Sequence, residues 1–277
     1  MPDLPAISVV TTCKGRLEHL RQTLPLALAQ PFAEAVVVDF DCPDGAGDWV
    51  ARTYPSVKLV RVTGEPRFQP ARARNLGAAA ATSPWLLFLD ADIQLAPGFL
   101  AQAAPLLTPG VFVRANPRLQ QQWGTIFVSR ADFEALEGYD EVFENWSGED
   151  TDLLERLRIA GVREDFYDGA LAIPIPHDDA LRVRHHHIED VGLSGLQNGL
   201  YRTAKLDLAR QGVALDADAR RRLLQAVRQA VTPAGIAPSF EVTFRRSEEF
   251  CVEILARLKY DLKLLAERPM RVKDASD

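Results

Sequence analysis

The sequence has few of the features that mark secreted, membrane-spanning or nucleic-acid-binding proteins. Its three cysteines are scattered and lack metal-site spacing, so they favour a reducing compartment over a disulfide framework. We expect no signal peptide, because no basic region and apolar stretch follow Met1. No run approaches the roughly 18 apolar residues of a membrane span. A net charge of −6 gives no reason to expect nucleic-acid binding. We therefore expect a cytoplasmic protein, with association at a membrane surface left open.

Three common catalytic signatures are also missing. No Walker pattern and no G-x-G-x-x-G follow the first apolar run, which removes support for a P-loop or dinucleotide site. No G-x-S-x-G nucleophile elbow is present. The hydrophobic content of 47% is that of a globular protein with a full core.

Apolar runs alternate with helical patterns over about the first 90 residues. This alternation indicates βαβ units and a parallel sheet, and hence an α/β fold. Strands are predicted at 7–12, 35–38, 57–62 and 85–89, and helices at 17–29, 44–52 and 71–81. Further on, strands are predicted at 111–114 and 125–129, a helix at 147–160, amphipathic helices at 193–210, 216–231 and 247–266, and a linker at 233–238. We predict an α/β domain over 1–187 and a helical appendage over 188–277.

The most informative segment is the apolar run Trp85–Leu89, which stops at Asp90 and Asp92. In an extended chain, side chains two residues apart point the same way. Both carboxylates would then share one side at the carboxyl end of a buried strand, where open α/β sheets bind ligands. A hard divalent cation bridging to phosphate oxygens would relieve their repulsion. The alternative is an acidic turn after a strand, since aspartate is common in turns.

A second acidic pair, Glu149 and Asp150, lies at the start of the helix predicted over 147–160. A capping box from Ser147 to Asp150 and the helix macrodipole would give these acids a structural role. The flanking Trp146 and Gly148 favour a different role, because a small, flexible residue lets a substrate approach the helix start. A carboxylate there could act as a general base.

Histidines and arginines supply the remaining candidates. Mn²⁺ accepts imidazole together with carboxylates, so a late histidine could complete a site begun by the two aspartates. The candidates are His177, which follows a proline-rich piece, and the consecutive His185–His187. Arg72 and Arg74 could bind phosphates in bidentate fashion, or they could form a solvated helix face.

Taken together, these segments resemble the inverting nucleotide-sugar glycosyltransferases of the GT-A fold, specifically the family-two group. The resemblance covers about residues 5–180 and rests on five motifs in family order: Ser8–Arg16, Val36–Asp41, Ala73–Gly77, the D-x-D of Asp90–Asp92, and the E-D pair Glu149–Asp150. Trp146–Asp150 also resembles the C-terminal half of β-galactosyltransferase-type enzymes. Those enzymes carry a metal-binding histidine a little under thirty residues beyond the E-D pair, so the resemblance selects His177.

The resemblance implies transfer of a sugar from a nucleoside diphosphate, most commonly UDP, to an acceptor hydroxyl with inversion. Asp92 and His177 would hold Mn²⁺ or Mg²⁺, with Asp90 at the metal's water shell or the ribose. Asp150 would be the base, with Glu149 as the alternative. The donor-binding residues implied are Thr12, Arg16, Asp39, Asp41, Arg72, Arg74, Asp90, Ala91 and Trp146. Residues 1–95 would bind the nucleotide and 96–187 the acceptor.

Some properties stay open at this stage. The acceptor is unknown and could be a glycan, a lipid, a protein or a small molecule. The appendage could form a homo-oligomer, cover the acceptor site or touch a membrane. Two other functions are considered: a non-catalytic nucleotide- or sugar-binding scaffold, and a sugar nucleotidyltransferase. The intact D-x-D and E-D motifs count against the scaffold, and a glycine-poor first loop counts against the nucleotidyltransferase.

Overall fold

The structure is a computed structural model that describes residues 5–118, 122–144, 147–176, 184–186, 190–237, 239–248 and 251–261. The chain divides into two compact units, Met1–Glu189 and Asp190–Asp277. Among the described residues, every helix is too short or too polar to cross a membrane.

The first unit is built on a seven-stranded sheet, flanked by helices, and a separate two-stranded sheet. Its strands are β1 (Ile7–Cys13), β2 (Glu34–Phe40), β3 (Lys58–Val62), β4 (Trp85–Phe88), β5 (Ile93–Leu95), β6 (Val111–Asn116), β7 (Ile126–Ser129), β8 (Arg163–Asp168) and β9 (Ala172–Pro174). Its helices are α1 (Leu17–Leu28), α2 (Ala46–Thr53), α3 (Pro70–Ala80), α4 (Phe99–Ala103), α5 (Arg130–Ala135) and α6 (Glu149–Ile159). The large sheet has the order β3-β2-β1-β4-β7-β6-β8.

The strands β1 to β4 pair in parallel, and β1 and β4 are buried along their whole length. Burial on both faces explains the continuous apolar run of β4. In β1 the apolar residues are interrupted only by the small buried side chains of Ser8, Thr11 and Thr12. Parallel pairing brings the carboxyl ends of β1, β2 and β4 to one edge of the sheet. The predicted α/β fold with a mostly parallel sheet is confirmed.

The smaller sheet links two distant parts of the first unit. β5 follows Asp92 directly and pairs antiparallel with β9. Beyond β9, the backbone N–H of Ile175 donates a hydrogen bond to the carbonyl of Asp92 at 2.8 Å. The chain therefore returns to the D-x-D segment immediately before the predicted ligand His177.

Over its described residues, the second unit contains two helices and two hairpins. Its elements are α7 (Val191–Arg210), α8 (Ala217–Ala230), β10 (Val231–Thr232), β11 (Gly235–Ile236), β12 (Ser239–Glu248) and β13 (Cys251–Asp261). The side chains of Asp190 and Asp216 cap the two helices by accepting hydrogen bonds from backbone N–H groups. The first two predicted helices of the appendage are confirmed.

The third predicted helix, 247–266, is wrong over its described residues, because they lie in the antiparallel strands β12 and β13. The sequence pattern explains why this segment forms strands. Apolar residues alternate with polar ones at Phe240, Val242 and Phe244, which is the period of a strand. In register, Phe240 pairs with Tyr260 and Val242 with Leu258. The predicted linker 233–238 likewise contains the short strand β11.

Candidate active site

The D-x-D acids lie in a turn at the carboxyl edge of the large sheet. β4 ends at Phe88, and the backbone N–H of Ile93 donates to the Asp90 carbonyl at 3.1 Å. The expectation of an extended chain through Asp90 and Asp92 is therefore wrong, because this hydrogen bond closes a turn. Helix α1 holds the turn in place, since the Thr23 hydroxyl donates to the carbonyl of Ala91 at 2.9 Å.

Arg74 is the centre of the site. This buried α3 side chain places Nη2 at 2.9 Å from Asp90 Oδ1. Its Nη1 lies 3.1 Å from Glu149 Oε1 and 3.1 Å from Asp150 Oδ1. One guanidinium thus brings together the two acidic motifs, which are far apart in the sequence. Arg74 was expected near the donor phosphates, but in the structure its nitrogens face carboxylates.

The site carries more negative than positive charge. Burial raises the pKa of Asp150 well above its usual range, although Arg74 opposes the shift. Burial also raises the pKa of Asp90; Arg74 lowers it and the charge of Asp92 raises it. Asp150 Oδ1 is buried and lacks an aligned hydrogen bond, despite its ion pair with Arg74. Three carboxylates around one guanidinium form a site that favours additional positive charge.

The start of α6 differs from the predicted capping box. Gly148 is the N-cap, with φ of 109°, and no side chain caps the helix. Because the helix begins one residue later than the motif requires, Ser147 and Asp150 do not form the box. The first two carboxylates of α6 are instead directed at Arg74. Trp146, the expected platform before this helix, lies outside the described residues.

Tyr139 also belongs to this site, although the sequence analysis did not single it out. Its ring centroid lies 5.2 Å from the Arg74 Cζ. Asn75 fixes its backbone: Asn75 Nδ2 donates to the Tyr139 carbonyl and Asn75 Oδ1 accepts from the Tyr139 N–H, both at 2.9 Å. No motif marks Tyr139, although Asn75 is part of the Ala73–Gly77 motif. Gly124 lies close against the same side chains, because a Cβ there would collide with Asp90 and Arg74.

The residues expected to bind the nucleobase lie at the ends of β1 and β2. Thr12 is buried near the end of β1. Asp39 Oδ1 accepts from the backbone N–H of Cys42 at 3.0 Å, and Asp41 Oδ2 accepts from that of Glu65 at 3.0 Å. The two acids thus share one edge but hold different loops.

A buried lysine ties this edge together. Lys14 Nζ donates to the carbonyls of Phe40, Asp41 and Glu65 at 2.7–3.1 Å. It thereby joins the end of β1 to the end of β2 and to the loop before α3. These contacts give Lys14 a structural role at the edge of the sheet.

The other expected donor-binding arginines have separate partners. Arg16 Nη1 lies 3.5 Å from Asp92 Oδ2, so the two D-x-D acids face different arginines. Arg72 pairs with Glu65. Arg16 therefore lies beside the D-x-D turn, whereas Arg72 is engaged by the loop before α3.

The described residues supply only part of a metal site. Among them, no group of three or more His, Cys, Asp or Glu side chains is arranged to hold a metal ion. Asp90 and Asp92 offer the hard oxygen ligands that Mn²⁺ and Mg²⁺ accept. His177, the expected third ligand, lies outside the described residues. His185 and His186 contact Phe68 instead, through a 2.8 Å backbone hydrogen bond and an edge-to-face ring contact.

Solved structures share this architecture. TarS of S. aureus (residues 1–349, with UDP-GlcNAc) has a TM-score of 0.58 and 16% identity, and the match covers 79% of this chain and 70% of that one. Mannosyltransferase PcManGT of Pyrobaculum calidifontis, with GDP-Man and Mn²⁺, has a TM-score of 0.54 and 16% identity, and the match covers 81% of this chain and 69% of that one. GalNAc-T7, with UDP, GalNAc and Mn²⁺, has a TM-score of 0.54 and 14% identity, and the match covers 82% of this chain and 55% of that one.

The fold is that of the GT-A glycosyltransferases among these structures. Within that class, residues 8–117 match the model of glycosyl transferase family 2. Residues 117–185 match a second family model, described as the N-terminal domain of galactosyltransferase. The resemblance to family two with a galactosyltransferase-like E-D motif is confirmed. A comparison with curated protein sequences finds no match.

Proposed function

We propose that this glycosyltransferase moves a sugar from a nucleoside diphosphate, with UDP the first candidate, to an acceptor hydroxyl with inversion and with the help of Mn²⁺ or Mg²⁺. The observation that carries the proposal is the convergence of Asp90, Glu149 and Asp150 on buried Arg74. It lies at the carboxyl edge of the parallel sheet, where α/β folds bind ligands. The nucleotides and Mn²⁺ in the structures of the three neighbours support the same reaction class.

The D-x-D acids and a histidine are proposed to hold the cation. Asp92 and His177 would be direct ligands, and Asp90 would contact the ion or its water shell. The excess of negative charge around Arg74 fits this role, as does the backbone hydrogen bond between Ile175 and Asp92, two residues before His177. When bound, the ion would supply positive charge to the leaving diphosphate.

Asp150 is the preferred base. Its raised pKa makes it a stronger proton acceptor than an ordinary carboxylate, and its Oδ1 lacks an aligned hydrogen bond. Glu149 Oε1 instead accepts a hydrogen bond from Arg74 at 3.1 Å. Asp150 would therefore remove the acceptor proton as the hydroxyl attacks the anomeric carbon, while Glu149 orients Arg74 or the acceptor.

The remaining predicted roles belong to this proposal. Thr12 with Asp39 or Asp41 would contact the nucleobase, since all three lie near the ends of β1 and β2. Arg16 and Ala91 would contact the donor from beside the D-x-D turn. Arg72 and Trp146 keep their proposed donor-binding roles on the strength of the family resemblance.

The decisive experiment compares Asp150→Asn with Glu149→Gln. A panel of nucleotide sugars with Mn²⁺ first identifies the donor by protection against thermal unfolding. Loss of a general base typically costs about 10²–10⁴-fold in turnover, so Asp150→Asn should lower kcat at least about a hundredfold while donor affinity is retained. Glu155→Gln on the same helix, outside the Arg74 cluster, is the matched control. Wild-type turnover in Asp150→Asn would remove Asp150 from this role.

A further inference from the structure

Two cysteines lie together at the sheet edge where the nucleobase is proposed to bind. Cys13 ends β1 and is fully buried, while Cys42 lies two residues beyond β2 and is half-buried. Cys42 packs against the apolar cluster that contains Cys13, which brings the two thiols within interaction range. The backbone N–H of Gly15 also donates to Cys42 Sγ at 3.2 Å. The proposed transfer reaction uses neither sulfur atom.

The surroundings differentiate the two sulfur atoms. The interaction with the Cys13 thiol lowers the pKa of Cys42 to about 6; burial opposes this shift, and the backbone N–H groups of Asp44, Gly15 and Ala46 add to it. The same interaction and burial raise the pKa of Cys13 well above its usual range. The pair thus combines a partly accessible thiolate with a protonated thiol, which are the roles of an attacking and a resolving cysteine.

We propose that Cys13 and Cys42 form a redox-active thiol pair that hydrogen peroxide converts into an intramolecular disulfide. The Cys42 sulfur attacks the peroxide O–O bond, giving a sulfenic acid and, after protonation of the leaving oxygen, one water. The Cys13 sulfur then attacks the sulfenic sulfur, and the Cys13 proton leaves with the hydroxyl as a second water. The two thiols lose two electrons and the peroxide gains them.

The pair lies beside residues proposed to bind the donor. Cys13 is in register with Asp39, whose carboxylate holds the backbone N–H of Cys42. A covalent bond between the two sulfurs would replace the contact between the Gly15 N–H and the thiolate, and would join the ends of β1 and β2. We expect oxidation to weaken donor binding, a consequence that rests on the proposed function, whereas the thiol chemistry does not.

The first test measures alkylation of the reduced full-length chain by iodoacetamide between pH 5 and 9, with peptide mass spectrometry for each cysteine. The rate at Cys42 should level off with a midpoint near pH 6 in the folded protein. In urea the midpoint should move to about 8.5, the ordinary value for a thiol. A folded-state midpoint near that of the unfolded chain would overturn the proposal.

The second test treats the same protein with hydrogen peroxide and maps the peptides. We expect a disulfide between the Cys13 and Cys42 peptides that dithiothreitol reverses, that Cys42→Ser abolishes and that Cys251→Ser leaves intact. Oxygen added to Cys42 without the disulfide would refute the pairing. Because a Cys13→Ser substitution would place a hydroxyl in the buried core, the wild-type map decides this point.

A third measurement separates the two proposals. Thermal protection by UDP and Mn²⁺ is compared before and after peroxide in the wild type and in Cys251→Ser. Protection that falls on oxidation and returns with dithiothreitol supports the proposed effect on donor binding, and unchanged protection refutes it. If UDP does not protect the reduced protein, the proposal that UDP is the donor nucleotide is refuted. The peptide map then still tests the thiol pair.

Discussion

Replacing Arg74 by methionine should destabilise the protein strongly and in a pH-dependent manner. Methionine keeps much of the volume of the side chain and removes its charge. Asp90, Glu149 and Asp150 would then face one another without the guanidinium that lies 2.9–3.1 Å from each of them. Removing one partner of a buried ion pair costs about 3–5 kcal/mol. For a protein of this size that corresponds to a fall in Tm of roughly 6–20 °C.

The pH dependence follows from the sign of the Asp150 shift. Burial raises its folded-state pKa above the unfolded value, and Arg74 is the main influence that lowers it. Without Arg74 the folded-state pKa rises further. A carboxyl with a raised pKa stabilises the fold while protonated and loses that contribution as the pH rises through the folded-state pKa. The Tm difference between the wild type and the variant should therefore be larger at pH 8 than at pH 5.

Arg130→Met is the matched control. Arg130 donates to the carbonyls of Ser83 and Ala78 at 3.0 and 3.1 Å, and its acidic partner Glu134 is exposed. Its removal leaves no buried carboxylate unpaired, so its effect on Tm should not depend on pH in this range. Thermal unfolding followed by circular dichroism in EDTA, at four pH values, compares the proteins. Equal Tm losses for Arg74→Met at pH 5 and pH 8 would refute the charge argument.

Three further predictions concern other residues. Asp92→Ala should abolish the Mn²⁺-dependent part of UDP binding, which calorimetry with and without Mn²⁺ measures; equal heats in wild type and variant would contradict the metal role. Lys14→Met should lower the free energy of unfolding by at least about 2 kcal/mol, because one buried and two partly buried carbonyls lose their donor; a change below about 0.5 kcal/mol in urea unfolding would contradict this. Gly199→Ala, inside α7 where an added Cβ meets no atom within 4 Å, should instead stabilise its helix by about 0.5–1 kcal/mol; a lower Tm would contradict it.

The sequence predicts the elements of the first unit well because its local signals agree. The run Trp85–Leu89 is continuous and apolar since β4 is buried on both faces. β1 is equally buried and is interrupted only by small hydroxyl side chains. The segment 239–261 shows the limit. Its apolar positions fit a strand period, but the overlapping stretch 247–266 also fits a helix. Pairing between β12 and β13 decides between the two structures. A one-dimensional pattern does not contain that pairing.

The candidate site is predictable in its members but not in its connections. The motifs single out Arg74, Asp90, Glu149 and Asp150, whereas the charge of an isolated arginine suggests phosphate binding or a solvated helix face. The order of strands in the sheet brings together α3, the D-x-D turn and the start of α6, because it places β4 beside both β1 and β7. Tyr139 escapes prediction for the same reason, because its contact with Arg74 joins parts of the chain that no motif spans.

The charge imbalance itself argues for a ligand-binding role. Buried ion pairs contribute little net stability compared with apolar residues of similar volume. A cluster kept for stability would match its charges, as Arg156 does with the single buried carboxylate Asp152 at 2.8 Å. Around Arg74 three carboxylates share one cationic side chain, and burial still holds the pKa of Asp150 above its ordinary range. An arrangement that is unfavourable in the folded protein alone becomes favourable when a bound species adds positive charge or donates a hydrogen bond to a carboxylate, which is what a cation and an acceptor hydroxyl would do.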